Sequence, residues 1–109
     1  MNPNPGKKLP IKWDISAKED LKNIYFFIKE DSVVQAKKVK NRILEIVKNI
    51  PLYEEKFAKE PFLEELEGNF RSRTIWSYKI IYEVTNSEII ILKIFHTSQN
   101  PNKIKGGLS

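Results

Sequence analysis

The chain has 109 residues, enough for one domain with one core and too few for two. It contains no cysteine and a single histidine, which excludes disulfides and thiolate sites and argues against a transition-metal centre; no cofactor is expected. The formal charge is +5, yet residues 54 to 67 hold six Glu against two Lys, so the basic character is concentrated in the rest of the chain. A basic body with one acidic stretch suits nucleic acid or an acidic protein partner, or serves solubility alone. No run approaches the roughly 18 apolar residues needed to span a bilayer. The opening "MNPNPGKKLP" has no apolar stretch behind its lysines and does not read as a signal peptide, so a cytoplasmic protein is expected.

In chain order, residues 1–7 read as a loose tail, and Leu9, Ile11 and Trp13 share one parity of a short strand near residues 8 to 14. Ser16 and Glu19 have capping-box spacing and open a helix over 16–30, whose apolar face is Leu21, Ile24, Tyr25 and Ile28. Ser32 and Gln35 repeat that spacing and open a second helix over 32–50, with Ala36, Val39, Ile43, Ile46, Val47 and Ile50 as its stripe and Pro51 as its stop. Little more than Asp31 separates the helices, which predicts an antiparallel hairpin. Lys37, Lys38, Lys40, Arg42 and Lys48 fall on the opposite face of the second helix, as on an ordinary solvated surface.

From Asn69 the period changes to two. "NFRSRTIW", "YKIIYEV" and "EIIILKIF" are three strands of a meander over 70–96, with turns marked by Ser77 and, more strongly, by Asn86–Ser87. Residues 102–109 read as a second loose tail. The order β-α-α-β-β-β predicts one α+β domain: an antiparallel twisted sheet, the first strand joining at an edge, with the helix hairpin packed on one face. The expected core includes Leu21, Ile24, Ile28, Val39, Ile43, Ile46, Ile80, Val84, Ile90 and Leu92. Tyr82 is also expected inside, and Trp13 and Trp76 read as packing anchors. On simple alternation His96 shares parity with Ile90, Leu92 and Ile94.

With "DLKNIYFFI", "LEGNFRSR", "YKIIYEV" and "ILKIFHTSQNP" in that order, the sequence resembles the RelE/ParE superfamily of bacterial toxins over residues 10 to 101. The resemblance implies the toxin of a type II toxin–antitoxin module with a cognate antitoxin as partner. RelE-like members are metal-independent endoribonucleases that cut mRNA on the ribosome; ParE-like members inhibit DNA gyrase and cleave nothing. Cleavage needs a base for the 2′-OH proton, an acid for the leaving oxygen and fixed cations for the phosphoryl charge. His96 falls where a branch of the nucleases places a histidine, and Lys79 where many carry arginine; these are the candidate catalytic residues. Arg71, Arg73, Lys93, Thr97 and Gln99 are the candidate nucleic-acid contacts. Lysine at 79 lacks the bidentate guanidinium fork, and Thr97 stands where some nucleases have tyrosine, with neither Tyr78 nor Tyr82 an obvious replacement. A histidine at a strand end also serves to bond backbone or close a core. Arg71 and Arg73 have Glu64, Glu65 and Glu67 as alternative partners. On balance these residues lean slightly toward ribosome-dependent mRNA cleavage. Gyrase inhibition is the alternative, and a binding module that has lost its activity is the alternative of another class.

Overall fold

The computed structural model describes residues 9–50 and 68–98. Its elements are β1 (Ile11–Trp13), α1 (Ile15–Lys29), α2 (Val33–Asn49), β2 (Phe70–Ile75), β3 (Tyr78–Val84) and β4 (Ile89–His96), in the expected order. The expected ion pairs of Glu64, Glu65 and Glu67 with the arginines fall outside the described residues, as does Gln99.

The sheet order is β1-β4-β3-β2. β2, β3 and β4 form the expected antiparallel meander, and β1 sits at an edge, but it runs parallel to β4 and makes the sheet mixed. Pro10 has no amide to contribute and sits at the edge, where its carbonyl accepts from the Ile89 amide. The Asp14 amide donates to the Ile91 carbonyl at 2.9 Å, and there the ladder stops. α1 then continues alongside β4, which explains the parallel direction: strand and helix occupy successive lengths of one edge.

Helix starts follow from side-chain oxygens. The Asp14 carboxylate accepts from the Ser16 amide at 2.9 Å and caps α1, so the cap lies two residues before the predicted Ser16. The Ser16 hydroxyl instead accepts from the Lys93 ammonium at 2.9 Å. Ser32 caps α2 as predicted, accepting from the Gln35 amide at 3.1 Å. The Asp31 and Ser32 amides both donate to the Ile28 carbonyl, which closes the hairpin turn.

The main core lies between the hairpin and one sheet face: Ala17, Ile43, Ile46, Val47 and Ile50 meet Ile80, Tyr82, Ile89, Ile91 and Ile94. Leu21, Ile24, Val39, Val84 and Trp13 pack around it, while Ile28 is half-buried. Ile81 and Phe95 form a second cluster with Phe70 and Leu92. Two core expectations are corrected: Ile89 and Ile91 replace Ile90 and Leu92. The cause is a register shift. Tyr82 pairs with Ile91 while Ile81 pairs with Lys93, so Leu92 is an extra, bulged residue and β4 changes parity there.

The β4 edge beyond β1 is covered from α1. Asp20 accepts the Ile94 amide at 3.0 Å with one carboxylate oxygen and the Lys93 ammonium at 3.1 Å with the other. Both side chains are mostly buried, so this pair is shielded from water more than a surface ion pair.

The β2–β3 turn is the dipeptide Trp76–Ser77, with Trp76 at φ 52°, a left-handed conformation unusual for a bulky residue. Trp76 is 53% exposed, contrary to its expected role as a packing anchor. The β3–β4 connection is held by the Thr85 hydroxyl, which accepts from the Ser87 and Glu88 amides and donates to the Glu88 carbonyl.

Ile43 is wholly buried, and Ile43→Ala should destabilise the fold by about 2–5 kcal/mol in chemical denaturation. Asp20→Ala should cost about 1–3 kcal/mol by leaving the Ile94 amide without its acceptor and the Lys93 ammonium with the Ser16 hydroxyl but no counter-charge. It should also raise hydrogen exchange at the Ile94 amide above that at Ile80; equal protection in the variant would show that α1 is held to β4 by other contacts.

Candidate functional site

Tyr78 and His96 are directly opposite on β3 and β4 and therefore share a face of the sheet. Their rings meet edge to face, with centroids 5.5 Å apart and planes at 88°. The Thr97 amide donates to the Ser77 carbonyl at 2.8 Å and carries the ladder one step past His96. Burial pushes the Tyr78 phenol above its usual range, so near neutrality it stays protonated. The His96 ring is exposed, and its Nδ1 accepts the Ser98 amide at 3.1 Å. The Ser98 hydroxyl lies 2.8 Å from the same nitrogen. An amide donor at Nδ1 requires a lone pair there, which places the proton of the neutral ring on Nε2.

The pair divides two clefts. One, about 490 Å³, lies against α1 and is lined by Asp20, Asn23, Ile24 and Phe27 together with Ile94 and Ser98. The other, about 520 Å³, lies beneath the hairpin turn and is lined by Asp31, Ser32, Gln35, Lys38 and Trp76. Tyr78 and His96 border both.

The sequence-predicted site residues are divided by the sheet. Lys79 is opposite Phe95 and projects from the face away from His96. Arg71 is opposite Tyr82 and Arg73 opposite Ile80, which puts both on the His96 face but two strands across on β2 and displaced along the sheet by two residues (Arg73) and four residues (Arg71) from the Tyr78–His96 pair. Lys93, expected to contact nucleic acid, has its ammonium held by Asp20 and Ser16 in the α1–β4 tie. Thr97 is exposed beside His96. The arrangement thus unites His96 and Tyr78, with Ser98 on the His96 ring, and brings neither Lys79 nor the Thr97 side chain into that contact. Among the described residues, no group of three or more His, Cys, Asp or Glu could hold a metal. No described helix is long and apolar enough to cross a membrane.

Tyr78 is the site residue that sequence reasoning missed. The signal was available in part: a two-residue turn at Trp76–Ser77 fixes the β2–β3 register. What pairs His96 with Tyr78, however, is the bulge at Leu92, and a run of aliphatic residues on both parities hides it.

Three comparisons bear on identity. The family described as ParE toxin of type II toxin-antitoxin system, parDE, matches residues 11–101. No curated protein matches the sequence. Among solved structures, the chain is similar to one from the chromosomal ParDE TA system from P. aeruginosa, with a TM-score of 0.67 and 28% identity over 82% of this chain and 96% of that one. The family match spans β1 to the end of β4 and the structural match reproduces the fold; the chain belongs to the ParE toxin family of type II toxin–antitoxin systems, within the RelE/ParE superfamily.

Proposed function

We propose that this toxin acts as a non-enzymatic inhibitor of DNA gyrase, held in check by a cognate antitoxin, and that its His96 has a structural role. The observation that carries the reading is the placement of Lys79 and His96 on opposite faces of the sheet. In-line attack of a 2′-OH on phosphate needs its base, its acid and its stabilising cations around one phosphoryl group. Lys79 has its Cα on the far side, and Lys93 is engaged with Asp20. The ring of His96 is oriented by Ser98, with Nδ1 engaged in that contact. The likeness to a ParDE system supports the same reading and, with the family match, the antitoxin as partner.

Two assays separate this reading from ribosome-dependent mRNA cleavage. The purified protein with gyrase and supercoiled DNA should inhibit the enzyme, while message on translating ribosomes stays intact. Codon-level cuts in ribosome-bound message, with gyrase unaffected, would overturn the proposal. His96→Ala should leave growth inhibition little changed, whereas loss of a general base would lower a cleavage rate by roughly 10²–10⁴. Absence of any growth inhibition by the folded wild-type chain would favour a module that has lost its activity.

A further inference from the structure

The cleft beneath the hairpin turn is lined on its sheet side by Trp76, and the backbone there is unusual. Position 76 has φ 52° in a two-residue turn, a conformation that glycine or asparagine adopts readily and a bulky residue does not. The indole contributes little to the core, since it is 53% exposed. A disfavoured backbone kept beneath an exposed aromatic ring points to a use for the ring. Asp31, Gln35 and Lys38 line the same cleft at spacings of four and three residues, which puts them in one row. Among the described residues, no hydrogen bond or ion pair engages the side chains of these three. Ile28 and Val39 supply half-buried apolar lining. His96 borders the cleft with Nδ1 taken by Ser98, so the Nε2 proton is the donor its neutral ring has left.

We infer that this cleft holds a single guanine nucleotide, its base stacked on Trp76. The volume of about 520 Å³ is that of a small-ligand site. The row has opposite charges at its ends: the Asp31 carboxylate and the Lys38 ammonium are two helical turns apart, roughly 10 Å along the axis. A purine nucleotide has a comparable reach from the pairing edge of its base to its 5′-phosphate. The carboxylate fixes which purine. It accepts from the ring N–H and the amino group of guanine together, whereas adenine presents an unprotonated nitrogen beside its amino group. Asp31 also repels a phosphate at the start of α2, which leaves that group to Lys38. Gln35, between them, has a donor and an acceptor for the sugar hydroxyls. The stacking itself is tolerant of base identity, so discrimination falls to Asp31. Such a ligand is independent of which target the toxin inhibits.

The probe is guanosine 5′-monophosphate, titrated into the full-length protein and followed by indole fluorescence and backbone-amide NMR. Saturable shifts around Asp31, Gln35, Lys38 and Trp76 are expected, with adenosine 5′-monophosphate at least about tenfold weaker. Trp76→Gly should weaken binding by roughly tenfold while raising the melting temperature, because glycine suits the turn. Unchanged binding in that folded variant would show that the ring is not the platform. Asp31→Asn should bring the two nucleotides to similar affinity. Lys38→Ala should weaken the guanine nucleotide and leave guanosine, which lacks the phosphate, unaffected. A short single strand with one guanine separates the two sources of such a base. Tighter binding than the free nucleotide, lost when that guanine becomes adenine, assigns the cleft to a strand, and equal or weaker binding assigns it to the free nucleotide. Equal affinity for guanine, adenine and uracil nucleotides, absence of saturation, or shifts away from the cleft would each rule the site out.

Discussion

The structure depends on one carboxylate. β1 ends at Trp13 and covers only the first part of β4, so the next outward amide, that of Ile94, would face water or a neighbouring chain. Asp20 accepts that amide and the Lys93 ammonium with its two oxygens, and the Ser16 hydroxyl takes a second bond from the same lysine. A helix is thereby tied to a strand edge in the lane that a longer β1 would have filled. α2 follows from α1 through a turn anchored on the Ile28 carbonyl, and its buried stripe then has one place to go. The clefts on either side of His96 are what remains between the tied hairpin and the end of the meander.

The sheet has two unlike faces, and this matters more for function than the inventory of charged residues. The helix face carries Tyr78, Ile80, Tyr82 and Val84 from β3, whereas Lys79, Ile81 and Glu83 point the other way. Five candidate cations and donors that are close in sequence are therefore scattered: two arginines on a far strand, one lysine behind the sheet, one lysine in an ion pair and a threonine beside the histidine. Proximity in a strand does not amount to a site unless parity agrees.

Much of the architecture was legible because apolar spacing is strong where one face is buried. The α2 stripe and the Ser32 cap appear where the residues place them. At α1 the sequence has two competent caps, Asp14 and Ser16, and tertiary structure decides between them by drawing Ser16 to Lys93. The direction of β1 was not legible, since three residues of a strand have the same pattern either way. Trp76 was misread for a different reason. Its indole would suit a core, but the tight turn assigns it a left-handed backbone and leaves the ring outside. The partnership of Tyr78 and His96 lay beyond pattern reading, because it depends on how many residues of β4 are paired.

That count has a consequence for comparing relatives. In an unbroken ladder running on from the Tyr82–Ile91 pair, Leu92 would face Ile81, Lys93 would face Ile80 among the helix-side aliphatics, and Phe95 would stand beside Tyr78. Placing an ammonium there is costly, and the looped-out Leu92 resets the phase of the strand so that lysine and histidine both fall where they are tolerated. The bulge thus works as a vernier between two halves of β4. A homologue lacking one residue at this place would present the same surface from a regular strand, and a gap-free alignment would match His96 with its neighbour. Residue correspondence at this end of the toxin fold has to be drawn from strand pairing, with the letters following.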